Sequence, residues 1–506
     1  MRYGFVIDNR RCIGCHACSV ACKAENRVPL GVYRTWVKYV EKGRFPNTRR
    51  YFQVTRCNHC EDPPCVAICP VGAMYQRGDG IVDFDPSRCI GCKACMQACP
   101  YDAIYVDPEQ GTAAKCHYCA HRVDAGMEPS CVVVCPEHAI VAGDIDDPAS
   151  EVSQLLERES VRVRRPEQET GPKLFYVEAE ETAIVPGAAA NVGTYMWGTV
   201  NEQADRALPP AGQPASPVPA LVAYDVEHKR PWDWQVPVYF WTKSIAAGIL
   251  AVPALASLAL GVEVWEHVDT LLGFLGLLFM AVTVGLLVSD LSRPERFFRV
   301  LTNPQPRSWL ARGAFLLVLY SLLLAAFFLW SWIGPDGAAS VLLWPTVIGG
   351  VLAAAYTAFL FGQCEGCDLW QTPLLPLHLV AQCVLTSGAV LALLPHSLAP
   401  PSDLRRAAVF GLGLGLVLHG LTVLGEFALP HSTDSARRAA ALITRGPFRI
   451  VFWIGAIGIG VALPAALLIF GWCSPLAVGF AGAGVLAGLL AFEWCFVMGG
   501  QGVANS

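Results

Sequence analysis

Arg11-Cys-Ile-Gly-Cys-His-Ala-Cys-Ser-Val-Ala-Cys22 returns 77 positions later as Arg88-Cys-Ile-Gly-Cys-Lys-Ala-Cys-Met-Gln-Ala-Cys99. Both copies space their cysteines C-x2-C-x2-C-x3-C, the run that holds 4Fe–4S clusters in bacterial ferredoxins. Cysteines three apart on a tight loop turn three thiolates toward one cubane. The fourth begins the next helix, points the other way and serves a neighbouring cluster. Two looser groups accompany the repeat. Cys57, Cys60, Cys65 and Cys69 have a middle gap widened to four, and Cys116, Cys119, Cys131 and Cys135 carry eleven residues before Cys131. Pro70, Pro100 and Pro136 directly follow three of the four groups.

Of the 21 cysteines, 16 lie between Cys12 and Cys135, enough for four 4Fe–4S clusters with none left over. Disulfides need an oxidising compartment, and the N-terminus, MRYGFVIDNRRC, shows no apolar stretch of signal-peptide length. Structural zinc has no use for the third and fourth cysteine with its proline. A 3Fe–4S site shows a lost ligand, whereas every position here is cysteine. Short apolar runs at Tyr3–Ile7 and Ile81–Phe84 precede the two repeats, and Ala103–Val106 follows the second. They read as strands. The expectation is an α+β pair of ferredoxin-like modules, one interrupted by the other.

The rest of the chain has a different solvent. Over 506 residues, 54% are hydrophobic and 16% charged, with a mean hydropathy of +0.41. Soluble domains usually carry about 25% charged residues. The apolar excess begins after about Trp234. Eight segments follow, approximately Val238–Val262, Leu271–Asp290, Ala311–Ile333, Val341–Gly362, Leu374–Leu394, Ala407–Leu429, Phe448–Gly471 and Leu476–Met498. Each approaches the roughly 20 residues that a helix needs to cross the hydrocarbon. The organisation expected is an iron–sulfur domain over 1–180, a linker and docking segment over 181–235, and an all-α eight-helix transmembrane bundle over 236–506. Leu208–Ala220, rich in Pro, Ala and Gly, reads as a semi-extended linker. The net charge of −5 offers no basic footprint for nucleic acid.

Eleven basic residues flank the spans on the side that carries the cysteine domain: Lys229, Arg230, Arg293, Arg296, Arg299, Arg307, Arg312, Arg437, Arg438, Arg445 and Arg449. The far side has Arg405 and Arg406. The positive-inside rule then puts the cysteine domain in the cytoplasm and the bundle in the inner membrane.

The four-group pattern, with Gly171-Pro-Lys-Leu-Phe-Tyr176 beyond it, resembles the electron-transfer subunit of molybdopterin oxidoreductases such as dimethyl sulfoxide and polysulfide reductases. That resemblance implies pairing of the first group with the fourth and of the second with the third. One cluster would take Cys12, Cys15, Cys18 and Cys135, and another Cys116, Cys119, Cys131 and Cys22. A third would take Cys57, Cys60, Cys65 and Cys99, leaving Cys89, Cys92, Cys95 and Cys69 for the fourth, so that the clusters form a row. The membrane half resembles the NrfD-type anchor of polysulfide reductase through Asp290-Leu-Ser-Arg-Pro-Glu-Arg-Phe-Phe298, Ser308-Trp309, Asp368-Leu-Trp370, Glu426 ahead of His431, and Gly500-Gln501. It implies a quinone partner and no haem. His378 and His419, one on each of two spans, do not by themselves call for one. Cys364 and Cys367 depart from the expected pattern and read as incidental, with a metal site or redox pair as the alternative.

Quinone chemistry moves protons as well as electrons, so ionisable groups at span ends nearest the clusters are the candidates. Lys243, Asp290, Arg293 and Glu426 are the residues selected, with Glu493 behind them. Snorkelling is the simpler role for Lys243, and an Asp290–Arg293 ion pair the simpler role for those two. The expected function is electron transfer between a separate catalytic subunit of the molybdopterin type and membrane quinone. The alternatives are an energy-coupled proton translocator and a polyferredoxin on a passive anchor. No catalytic constellation for a substrate is present in the chain.

Overall fold

In the computed structural model the sequence repeat is also a repeat of backbone. Gly14 and Gly91 both sit at φ 70°, and His16 and Lys93 follow in the left-handed region at φ 61° and 62°. This turn requires glycine and curls the first three cysteines of each motif inward. Each loop then opens a helix, α1 (Ala17–Asn26), α2 (Pro64–Ile68), α3 (Ala94–Ala98) or α4 (Ser130–Val133). α1 holds both Cys18 and Cys22, whereas in the other three the third cysteine lies in the helix and the fourth follows its end rather than beginning it. The structure describes residues 1–44, 46–191, 220–228, 230–263, 265–335, 339–395 and 401–505.

Among the described residues twelve strands frame these loops. β1 (Tyr3–Asp8) pairs parallel with β10 (Leu174–Val177) and antiparallel with β8 (Ile140–Asp144), while β9 (Val161–Arg162) extends the sheet beyond β10. The stretch Gly171–Tyr176 therefore returns the chain to its first strand. β4 (Met74–Gln76) pairs with β5 (Val82–Phe84), and β6 (Ile104–Val106) with β7 (Ala113–Lys115), the small ladders expected of ferredoxin modules. A long hairpin, β2 (Thr35–Arg44) with β3 (Asn47–Arg56), was not legible in the sequence. It is joined by β12 (Ala220–Tyr224), with β11 (Ala190–Asn191) alongside.

That last sheet revises the linker. Residues 208–219 of the Pro/Ala/Gly-rich stretch lie outside the described residues, as does Lys229, but Ala220 begins a strand of the soluble sheet.

Among the described residues eight helices are long and apolar enough to cross a membrane: Gln235–Leu260, Val268–Ser289, Trp309–Ile333, Ser340–Gly362, Leu375–Leu393, Ser402–Ala428, Val451–Gly471 and Pro475–Gly500. The fifth and first are the most enclosed; the second, third and seventh turn mostly apolar side chains outward, such as Phe274, Leu322 and Phe470. The first span breaks at Ile249–Leu250. Pro253 lacks the N–H that would close the turn there. Ser387 Oγ of the fifth span accepts the freed N–H of Val252 at 3.0 Å, as backbone inside a bilayer requires.

Candidate functional site: four cysteine-lined cavities against a helix bundle

The sixteen cysteines gather around four separate cavities. One is lined by Cys12, Cys15, Cys18 and Cys135. The next has Cys22, Cys116, Cys119 and Cys131. Cys57, Cys60, Cys65 and Cys99 line a third, and Cys69, Cys89, Cys92 and Cys95 the fourth. Each takes three cysteines from one motif and one from its partner motif. Below they are called the first to fourth cavities.

The donor chemistry suits a 4Fe–4S cube. Burial pushes Cys18 up to about 11, and Cys22 and Cys99 up to about 12, so these thiols hold their protons until a positive centre displaces them. Among the described residues no three ligating side chains converge on a point fit for a single ion. Four sulfurs spread around a void fit one thiolate per iron instead. Several sulfurs also accept backbone N–H groups: Cys69 from Ala73 at 3.2 Å, Cys135 from Ala139 at 3.2 Å, and Cys89 from Gly91 and Ala113 at 3.4 Å each. Such bonds stabilise sulfur carrying negative charge.

The first and fourth cavities differ in surroundings. Cys15, in the first, is the exposed member of the sixteen. At the fourth, the loop after the second span is hydrogen-bonded to the third motif. Ser292 N donates to Gly91 O at 3.1 Å, Arg293 N to Ile90 O at 3.2 Å, and Arg296 Nη1 to Cys89 O at 2.9 Å. A Cβ at Gly91 would lie 2.6 Å from that of Ser292, so the glycine is needed for the docking as well as for the turn. Trp232 Nε1 donates to Cys92 O at 3.2 Å and its ring stacks on Trp370 at 5.6 Å.

A polar clamp seals the join. Gln97 of α3 donates to Gln501 Oε1 at 2.8 Å, and Gln501 Nε2 donates to Trp232 O at 2.7 Å. Arg165 bridges to Asp368 at 3.1 Å. The Cys364–Cys367 loop is part of this clamp. Gly366 N donates to Gln97 O at 3.0 Å and the Cys367 thiol to Gln97 Oε1 at 3.2 Å, while the Cys364 thiol points back to Leu360 O at 3.6 Å. Both are free thiols with different acceptors. Beside them, burial with Asp62 close by pushes the Glu365 carboxyl up to about 7.

The proposed ionisable residues are not one cluster. Asp290 pairs with Lys93 at 3.0 Å, both sides shielded from solvent. It does not pair with Arg293, which instead reaches Glu295 at 3.4 Å and donates to Gln110 O. The two lie near in sequence, but the loop turns Arg293 onto the soluble domain. Nor does Lys243 snorkel. It is 0% exposed, donates to Thr357 Oγ1 and sits 4.8 Å over the Phe240 ring. Glu493 is buried too, with Gln382 and Lys243 as electrostatic neighbours. Glu426 lies buried near the end of the sixth span beside Thr372. His378 and His419 meet, Nε2 to Nδ1 at 3.0 Å, and so occupy one another.

Residues 48–145 match the family model described as a 4Fe-4S dicluster domain, and residues 225–505 match that described as polysulphide reductase, NrfD. Among individual relatives, the protein is 44% identical over 189 residues to the B component of the tetrathionate reductase of Salmonella typhimurium, covering 37% of this sequence and 76% of the relative. It is 42% identical over 188 residues to the B component of the polysulfide reductase of Wolinella succinogenes, covering 36% of this sequence and 97% of that one. A putative dimethyl sulfoxide reductase iron–sulfur subunit of Halobacterium salinarum is 40% identical over 208 residues, 35% of this sequence and 79% of the relative. With its membrane half in the NrfD family and its N-terminal part among the iron–sulfur subunits of such reductases, the protein belongs to both and joins them into one multi-pass membrane electron-transfer chain.

Proposed function

We propose that the protein carries electrons between a separate catalytic subunit, of the molybdopterin type, and membrane quinone through four 4Fe–4S clusters. The observation that carries this reading is the set of four cavities, each with four cysteines, one holding exposed Cys15 and another docked against the loop that caps the second span. Cys12, Cys15, Cys18 and Cys135 would hold the cluster facing the catalytic subunit, and Cys69, Cys89, Cys92 and Cys95 the one facing the membrane. When bound, the cubanes supply one-electron carriers. The protein excludes water from them, supplies N–H groups to their sulfur ligands and fixes their order. A partner that receives or donates electrons at the Cys15 end is supported by the names of the relatives, each a component of a reductase.

Quinone is assigned to the bundle end beside the fourth cavity, where Asp290 and Glu426 are the acids placed to exchange protons and Arg293 braces the loop. Lys243, deeper among the spans, is a polar anchor of the bundle centre and a second candidate for proton exchange. The clusters are assigned to the cytoplasmic face of the inner membrane, supported by the arginine excess at that end of the bundle. Arg296 and Arg299 also donate to carbonyls of the cysteine domain, and Arg438 to Pro186 O of the segment that follows it, so part of that excess serves docking.

The test replaces Asp290 with Asn and Glu426 with Gln in the intact, iron-loaded protein. Oxidation of pre-reduced clusters by added quinone slows by about 10²-fold or more, the range for loss of a positioned acid or base. An artificial soluble acceptor still oxidises them at the parental rate. Retention of quinone-driven oxidation in both variants sinks the assignment. The translocator reading has one observation in its favour, the burial of Lys243 and Glu493 inside the bundle. Further toward the far side, Thr386 and Ser387 hold backbone groups.

A further inference from the structure

Arg56 closes β3 immediately before Cys57 and is 0% exposed. Its Nη1 donates to Cys131 Sγ at 3.0 Å, and its guanidinium lies 4.6 Å over the Phe5 ring. Nε and Nη2 have no hydrogen-bond partner. Among the described residues no carboxylate forms an ion pair with it, and its strongest favourable neighbours are the sulfurs of Cys131, Cys116 and Cys18. The first two line the second cavity and the third lines the first. Lys115 repeats the arrangement on the other side. It is 0% exposed, donates to Val82 O and to Cys116 O at 2.9 Å, and faces the sulfurs of Cys57, Cys65 and Cys116. By contrast, Lys93, Arg77 and Arg10 have carboxylates to answer them, Asp290, Asp124 and Asp8.

An unanswered guanidinium with two bare N–H edges is costly to bury. At this position the negative charge able to repay it is that of a cluster. We propose that Arg56 is the buried counter-cation of the cluster in the second cavity, shared with that in the first, and that it raises the second cluster's reduction potential. Reduction adds one electron, and so one negative charge, to the cubane. In a medium of low dielectric constant a fixed positive charge at hydrogen-bond distance favours the more negative state. Potentials of such clusters follow net charge and hydrogen bonds to sulfur. Lys115 acts in the same sense between the second and third cavities. Arg56 is therefore a positioning residue for electrons: it makes the middle of the row a place where an electron rests.

This inference depends on the cavities being cluster sites, and the experiment separates the two. Full-length protein is prepared anaerobically in detergent and assayed for iron, and its clusters are titrated potentiometrically with electron paramagnetic resonance as the readout. Parental protein lacking four cubanes would remove the underlying reading. Given four, Arg56→Gln with full iron lowers one midpoint so that the reduced-to-oxidised ratio at fixed potential drops at least tenfold, equivalent to 59 mV for one electron. Unchanged midpoints in that loaded variant overturn the proposal and leave Arg56 as packing. If Arg56→Gln does not retain iron, Arg56→Lys decides. It keeps the charge and gives up the forked hydrogen bonding, and it holds the ratio within about threefold of the parent. A tenfold drop there assigns the effect to geometry and overturns the charge argument.

Discussion

Replacing Cys99 with alanine removes about four irons per chain, the content of one cubane, and stops electrons crossing the protein. Cys99 closes α3 in the third motif, yet it lines a cavity whose other cysteines, Cys57, Cys60 and Cys65, belong to the second. The paramagnetic signal lost on reduction should therefore match the one lost in Cys57→Ala. It should differ from the one lost in Cys95→Ala, although Cys95 is only four residues from Cys99. Losing a contact outside the ligand shell costs about 10–100-fold in metal affinity or activity; losing a ligand from a single-file relay exceeds that. Quinone-linked electron transfer to an acceptor at the Cys15 end falls to background. Loss of the same signal in Cys99→Ala and Cys95→Ala would mean that each motif fills its own site.

A large effect is also expected where no cluster ligand is touched. Gly366 lies between Cys364 and Cys367, and a Cβ there would stand 2.6 Å from Gln97 O and 2.8 Å from Cys99 O, both main-chain atoms of the cluster domain. Backbone cannot swing aside as a long side chain does, so Gly366→Leu forces the loop away from α3. It then strains the bonds from Gly366 N and Cys367 Sγ to Gln97 and from Asn505 Nδ2 to Gly366 O. Overpacking of this kind costs about 1–3 kcal/mol. Charged against docking, that is a roughly 10–100-fold loss of the docked population. Iron content and reduction by a soluble donor are retained, while reduction or oxidation through quinone falls by the same factor. Parental quinone-linked rates in Gly366→Leu would show that the contact between loop and α3 is dispensable.

These two positions mark what local sequence carries and what it does not. The cysteine spacing is dictated by a cubane's own dimensions, so it is visible in any twelve-residue window. Span length is likewise set by bilayer thickness, and all eight apolar runs are helices long enough to cross it. The pairing of motifs came from resemblance, because nothing within Cys116–Cys135 says which loop will face Cys22. The docking was not legible. Asp290 and Arg293 are close in sequence and opposite in charge, but Asp290 meets Lys93 from 197 positions away. Lys93 occupies the slot where the first repeat has His16. Arginines 293, 296 and 299 look like topology signals until the carbonyls they hold are seen. Arg56 and Lys115 gave no signal, since single cations in strands are usually solvated. Only burial among sulfurs sets them apart.

The central claim is a row of four cubanes rather than the two that a dicluster domain spans. Iron and acid-labile sulfide in full-length protein prepared without oxygen, normalised to protein concentration and accompanied by resonance spectra of the reduced state, test it most directly. The account predicts about sixteen of each per molecule, with interacting cubane signals on reduction. A value near eight would leave half of the cysteine-lined cavities without a role and contradict it.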